Sequence, residues 1–333
     1  MHVTRQKTEL TDHSRFIVIT PARRVPDLVD DVRDGLLNTP RSLPPKYFYD
    51  AHGSWLFDQI CNTPEYYPTR TEDRLLLENS QQIIDSTRPD QILELGSGNS
   101  RKTRRLFDAC EAINHTCDYA PFDVCAEMLA ETSDKLTTDY GWLSVSPLVG
   151  DYHAGLENLP SINGTRLYVF LGSTIGNFQR DEAVEFIREI TRCMQPGDWL
   201  LLGADRIKDC EVLDAAYNDS RGITADFNLN ILRVLNRELA ANFDLDGFRH
   251  LAVYNDNLHR IEMYLVAIQN QQVEIRGIRQ TIQFMEGDRI LTEVSHKFSY
   301  EDIRDILADT ELRIVQHHEP PNGYFSLILA QYL

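Results

Sequence analysis

The chain has 333 residues, 42% of them hydrophobic and 25% charged, which suits a soluble globular protein of one large or two modest domains. Lysine and arginine number 33 against 51 aspartates and glutamates, and the resulting net charge of −18 repels phosphate backbones, which argues against a nucleic-acid partner. The polar first ten residues lack the apolar stretch of a signal peptide, no run approaches the roughly 18 apolar residues of a membrane span, and no two of the six cysteines form a Cys-x-x-Cys pair, so a cytoplasmic protein with reduced thiols, no metal site and no membrane partner is expected.

Residues 1–14 read as a loose arm. Leu28, Val29, Val32 and Leu36 recur at helix spacing and predict a helix over about 26–37. The aromatic-rich loop Pro44-Pro-Lys-Tyr-Phe-Tyr-Asp50 follows, then a helix over 55–60, interrupted by Pro64-Glu-Tyr-Tyr-Pro-Thr-Arg70. From residue 91 strands alternate with helices, with strands expected over 91–95, 117–122, 143–149, 166–171 and 198–204. Between the last two, Val184, Ile187, Ile190 and Met194 form a helical stripe that Pro196-Gly197 stops. That alternation predicts an α/β fold with a parallel-rich sheet covered by helices. After Asp205 the pattern changes: 209–245 reads as helical, and strands follow over 260–267, 272–275, 279–283 and 289–295. A helix near 300–308 and strands near 313–317 and 324–330 return to the first pattern. The expected organisation is a Rossmann-like domain of residues 15–207 plus 297–333, interrupted by a smaller α+β substrate-recognition domain of residues 208–296. Pockets commonly lie between such units.

The segment Gln91-Ile-Leu-Glu-Leu-Gly-Ser-Gly-Asn-Ser-Arg-Lys102 carries the strongest chemical signal. A buried strand runs into two glycines one residue apart and then into a helix start, which is how a nucleotide-like ligand reaches a helix N-terminus. The third glycine of a dinucleotide fingerprint is replaced by Arg101, which counts against a nicotinamide dehydrogenase. The variant Glu94-x-Gly96-x-Gly98 resembles the first motif of S-adenosylmethionine-dependent methyltransferases, with Glu94 placed to receive an ammonium group. Asp123 ends the second strand and is either a ribose-chelating acid or the cap of the helix that follows. Asp151-Tyr152 at the end of the third strand suits an adenine, or forms a turn. In Leu171-Gly-Ser-Thr-Ile-Gly-Asn-Phe178, Gly172 and Gly176 free the backbone where ligands bind, and Asn177 offers the donor and acceptor that a zwitterion needs, unless it caps a helix. Glu293 and Ser295 share a face of their strand by alternation, and from the residues alone a solvated polar edge is the simpler reading. Tyr66, Tyr67 and Tyr217 read by default as packing tyrosines.

Taken together, these segments resemble the L-histidine Nα-methyltransferases of ergothioneine biosynthesis. The likeness runs over about residues 25–333, through Pro45-Lys-Tyr-Phe-Tyr-Asp50, Gly53-Ser-x-Leu-Phe-Asp58, Pro64-Glu-Tyr-Tyr-Pro-Thr-Arg-x-Glu72, Glu94-Leu-Gly-Ser-Gly98 with Lys102, and Leu171-Gly-Ser-Thr-Ile-Gly-Asn-Phe178. It continues through Asp226-Phe-Asn-Leu-Asn230, Asn236-Arg-Glu-Leu239, Ile261-Glu-Met-x-Leu265 and Glu293-Val-Ser295. The resemblance implies a class I methyltransferase that moves three methyl groups from S-adenosylmethionine to the α-amino group of histidine and releases hercynine. It implies that Tyr49, Gly96, Gly98, Lys102, Asp123, Asp151 and Tyr152 hold the cofactor. Asn177 and Tyr217 would grip the substrate carboxylate, and Gly172 and Tyr49 would lie by the α-amino group. Tyr66, Glu293 and Ser295 would bond the imidazole, with Tyr67 as the one-residue alternative to Tyr66, and Met263 would floor the pocket. Tyr264 and Tyr152 stand where the family is expected to carry His and Phe. A monomer is expected. The alternatives are an N-methyltransferase of tryptophan or another indole amine, and a non-catalytic binding module that keeps the fold.

Overall fold

The computed structural model describes residues 16–333; the expected arm over 1–14 lies outside the described residues. In chain order the elements are β1 (Ile17–Val18), α1 (Leu28–Leu36), β2 (Arg41–Ser42), α2 (Ala51–Cys61), α3 (Tyr67–Thr87), β3 (Gln91–Leu95), α4 (Arg104–Ala112), β4 (Asp118–Asp123), α5 (Ala126–Asp139), β5 (Ser144–Val145), β6 (Leu148–Val149), β7 (Arg166–Phe170), α6 (Arg180–Arg192) and β8 (Trp199–Asp205). They continue with α7 (Cys210–Tyr217), α8 (Ile223–Glu238), β9 (Phe248–Asn255), β10 (Arg260–Ala267), β11 (Gln271–Ile275), β12 (Gln280–Phe284), β13 (Arg289–His296), α9 (Tyr300–Ala308), β14 (Leu312–His318) and β15 (Phe325–Tyr332).

The main sheet has the order β1-β6-β4-β3-β7-β8-β15-β14, with β5 paired to β4. All pairs from β1 to β8 are parallel, while β15 runs antiparallel to both β8 and β14. Every residue of β3, β7 and β8 is buried, as strands covered on both faces must be. Alternate side chains feed two apolar clusters. Leu93, Tyr168, Phe170 and Leu200 face one, and Ile92, Leu167, Val169 and Leu201 face the other. The fold is Rossmann-like α/β, as the strand–helix alternation predicts. The order turns at β3 and β7, so the carboxyl ends of β3, β4, β6 and β7 open on one edge, where ligands of such sheets bind.

After β8 come β9, β10 and β13, which form a second sheet of order β2-β13-β10-β9 with β2 from the N-terminal segment, and the hairpin β11–β12. The chain leaves β8 and returns to the main sheet side by side: Phe298 N–H donates to Asp205 O at 2.9 Å and Ile207 N–H to Phe298 O at 3.1 Å. A third apolar cluster joins Ile231, Leu232, Met263 and Phe284 of this region to Val32, Leu36, Phe48 and Leu56 from the N-terminal helices. Parallel pairing of Ile290 with Arg41 and Leu291 with Ser42 ties the same two segments through the backbone. The helix over 209–245 resolves into α7 and α8, and β9 is a strand that the apolar pattern did not announce. Among the described residues no helix is long and apolar enough to cross a membrane.

Candidate active site

At the end of β3, Gly96 and Gly98 have φ of +69° and +51°, a region open to glycine and strained for other residues. A Cβ on Gly98 would meet nothing within 4 Å, and one on Gly96 would lie 3.6 Å from the Tyr152 ring, so the turn borders open space walled by that tyrosine. Asp123 fixes the turn: its Oδ2 accepts from Gly98 N–H at 2.9 Å and its Oδ1 from Cys125 N–H at 3.1 Å. The capping alternative does not hold, because α5 has Cys125 at its N-cap with no side-chain cap bond; Asp123 closes a turn two residues ahead of it and keeps a lone pair on each oxygen. Asp151 caps a 3-10 turn through His153 N–H at 2.8 Å. Tyr152 after it packs on Phe170 and Phe186 at 5.9 and 5.4 Å between centroids. Glu94 is 4% exposed, and burial pushes its carboxyl up to about 7 against the pull of Thr103, Tyr119 and Lys102. Tyr119 O–H already donates to it, so the acid expected to meet an ammonium has an internal partner.

Glu72, on α3, is fully buried and ties three elements together. It accepts from Gly172 N–H at 2.9 Å with each oxygen and pairs with the Lys102 ammonium. Gly172 has φ +79°, and Ser173 after it takes φ +56° while its hydroxyl accepts from Asp205 N–H at 2.9 Å. A Cβ on Gly176 would stand 2.7 Å from the His296 carbonyl, so this turn lies directly against β13. Asn177 ends the turn half-buried and makes no side-chain hydrogen bond among the described residues.

Opposite stands an aromatic wall. Tyr49 lies edge-on to Phe57 and Phe227 at 5.7 and 5.5 Å, and Tyr66 lies edge-on to Tyr217 and Phe57 at 6.1 and 6.2 Å. The surrounding protein, and after it the Glu293 charge, push the Tyr49 phenol well above its ordinary value. Tyr66 is 8% exposed and its hydroxyl has no partner among the described residues, whereas the Tyr67 hydroxyl donates to Asp205 at 2.7 Å and accepts from Lys208 at 2.5 Å. The two candidates for one role thus sit in different environments.

The floor is set by β13. Glu293 lies opposite Met263 in the register, after a bulge that leaves Thr292 unpaired, its hydroxyl donating to Asn228 Oδ1 at 2.7 Å. Glu293 is half-buried, and its carboxyl makes no side-chain hydrogen bond among the described residues. Burial pushes its carboxyl up to about 7, opposed by the charge of Lys297. Ser295, two residues on, accepts from Tyr217 O–H at 2.9 Å and from Lys297 Nζ at 2.8 Å. Lys297 also donates to the Tyr217 hydroxyl oxygen at 3.0 Å and pairs with Asp205 at 3.0 Å, which pairs in turn with Lys208. Despite their burial, Lys297 and Asp205 are each held charged, the first by Tyr217 and Asp205 and the second by Lys297 and Lys208.

Sequence reasoning missed Glu72, Asp205, Lys208 and Lys297. Lys297 carried one legible sign, continuing the 293–295 alternation onto the same face; Glu72 lies within a quoted motif but nothing in its neighbours marks it as an anchor. Tyr264, a departure from the family pattern, donates to Glu262 at 2.6 Å. Among the described residues no group of three or more His, Cys, Asp or Glu side chains could hold a metal ion.

A model of a family described as histidine-specific, S-adenosylmethionine-dependent methyltransferases matches residues 28–332. The chain is 46% identical over 300 residues to histidine N-alpha-methyltransferase of Mycolicibacterium smegmatis, covering 90% of this chain and 93% of that protein. The counterpart of Mycobacterium tuberculosis is 44% identical with the same coverage. Ergothioneine biosynthesis protein 1 of Schizosaccharomyces pombe is 32% identical over 288 residues, covering 83% of this chain and 37% of that protein.

Proposed function

The chain belongs to the histidine-specific, S-adenosylmethionine-dependent methyltransferases, and from that premise we propose that it methylates the α-amino group of L-histidine three times, yielding hercynine for ergothioneine biosynthesis. The observation that carries the reading is Glu293: a half-buried carboxylate with no side-chain hydrogen bond among the described residues, two residues from Ser295 on the same strand, is costly unless a ligand supplies an N–H. An imidazole does.

The glycine turn suits the cofactor: it is open at Gly98, the Tyr152 ring lies beside Gly96, and Asp123, bonded to Gly98 N–H, keeps acceptor capacity. Gly96, Gly98, Lys102, Asp123, Asp151, Tyr152 and Tyr49 would hold it. When bound, S-adenosylmethionine supplies a methyl group already activated on a sulfonium. The chain's own work is to aim an amine lone pair at that carbon, at about 3–3.5 Å. Asn177 grips the α-carboxylate with its amide donor. Tyr217, its proton given to Ser295, walls the pocket beside Tyr66. The absent side chain of Gly172 leaves room for successive methyl groups, and Glu72 holds its N–H. The α-ammonium must lose a proton before each transfer. The Tyr49 phenol, held neutral, orients the nitrogen, and water takes the proton.

The unit that recognises the side chain comprises residues 208–296, and the shared apolar cluster supports adding the N-terminal segment over 28–66 to it. A cytoplasmic monomer without nucleic-acid or membrane partners completes the proposal, supported by the acidic balance and the cysteine pattern. Replacing Glu293 by Ala lowers kcat/KM for histidine by about 10–100-fold, the worth of a hydrogen bond to a charged group, and admits bulkier aromatic amino acids. Unchanged histidine kinetics in that variant would refute the role of Glu293.

A further inference from the structure

Lys297 is an ammonium with three donors and no acceptor, and all three are spent: on Asp205 at 3.0 Å, on Tyr217 Oη at 3.0 Å and on Ser295 Oγ at 2.8 Å. Its side chain is 1% exposed, so it touches no ligand directly. Tyr217 accepts from Lys297 and donates its own proton to Ser295 at 2.9 Å. A serine hydroxyl has two lone pairs and one proton. Both lone pairs of Ser295 are therefore occupied, by Tyr217 and by Lys297, and its proton is the one bonding capacity left for a ligand.

We propose that Lys297 is a positioning residue that locks Ser295 as a hydrogen-bond donor, so that the site reads the unprotonated ring nitrogen of the substrate as well as its N–H. The inference rests on the histidine reading above. Glu293 and Ser295 lie two residues apart on one face of β13, about 6–7 Å along the strand, a span that takes a five-membered ring bonded at both ends. Glu293 accepts and Ser295 donates. A neutral imidazole offers one N–H and one lone pair and satisfies both. An imidazolium turns a second N–H against the Ser295 proton. A pyrrole or an indole has the N–H and no lone pair, and leaves that proton unpaired. Asp205 makes the lock affordable: it neutralises Lys297 while Lys208 and the Tyr67 hydroxyl complete its own shell, and none of these groups reaches the cleft.

The test compares L-histidine with 3-(pyrrol-2-yl)-L-alanine, which keeps the N–H and lacks the acceptor nitrogen, in the wild type and in Lys297→Met. The wild type should prefer histidine by about 10–100-fold in kcat/KM, the effect of one unsatisfied donor. In Lys297→Met the Ser295 hydroxyl turns freely. The KM for histidine rises about 10-fold, kcat and cofactor affinity stay within about twofold, and the preference over the pyrrole shrinks to a few-fold. Equal losses on both substrates, with the preference intact, would overturn the proposal. Should Lys297→Met fail to fold, Ser295→Ala serves: the preference must collapse there too, and its survival would overturn the donor role. A wild type that methylates histidine yet shows no preference over the pyrrole also overturns it, whereas no methylated histidine at all overturns the function itself.

Discussion

Burial of Glu293 carries a cost in stability that depends on pH. Its carboxyl is raised from about 4.5 to about 7 by burial, so the folded chain holds the proton more tightly than the unfolded one. The sign follows: this group's stabilising contribution is full below about pH 4.5 and is lost as pH rises through about 7. Glu293→Gln should therefore melt a few degrees above the wild type at pH 8 and level with it near pH 4.5, in thermal scans at both values. A variant that melts lower at pH 8 would mean the carboxylate is already satisfied. The tyrosine pair makes a second contrast at this scale. Tyr66→Phe removes a hydroxyl that has no partner among the described residues and should raise the KM for histidine about 10-fold with little change in melting. Tyr67→Phe removes the donor to Asp205 and should cost about 1–3 kcal/mol of stability, leaving that KM nearly unchanged. Urea unfolding together with steady-state kinetics separates the two, and the reverse assignment of effects would contradict the roles.

Among the elements, β8 and α3 meet at a point that fixes the catalytic turn. A Cβ on Gly203 would lie 1.9 Å from Glu72 Oε1, and Glu72 holds the Gly172 N–H and the Lys102 ammonium. Gly203→Ala should cost about 1–3 kcal/mol by overpacking and should lower activity by displacing Gly172; unfolding midpoints and turnover at saturating substrate check both, and wild-type values would show that Glu72 can move without consequence. Elements with a strong local period were legible: the stripe of α6, the alternation of β10 and β13, and the buried runs of β3 and β7. Others were not. Leu143 to Val149 looks like one strand, but Pro147 lacks an N–H and the stretch splits into β5 and β6. α3 opens at Tyr67 with Pro68 in its first turn, so a proline that reads as an interruption is a helix start. β9 was invisible because its burial is mixed along its length.

Across the whole molecule, what local pattern cannot reveal is long-range partnership. The pairing of β2 with β13 spans about 250 residues of chain, and nothing near Arg41 announces Ile290 as its partner. The same distance hides the buried chain Tyr67–Asp205–Lys297–Ser295, which joins the start of α3, the end of β8 and the end of β13. Glycines, acids at strand ends and the Asn177 amide announce a site in sequence because backbone geometry ties them to motifs. Groups that act from behind need three dimensions. The proposed site would offer an acceptor at Glu293, a donor at Ser295, the Asn177 amide and the small-residue turn at Gly172, a set that suits a small zwitterion with an imidazole end.

Mass spectrometry of the purified protein incubated with S-adenosylmethionine and L-histidine, with L-tryptophan in a parallel tube, tests this most directly. The account predicts histidine heavier by three methyl groups and no methylated tryptophan. An unmethylated histidine beside a methylated indole amino acid would keep the fold and the cofactor and contradict the reading of Glu293 and Ser295.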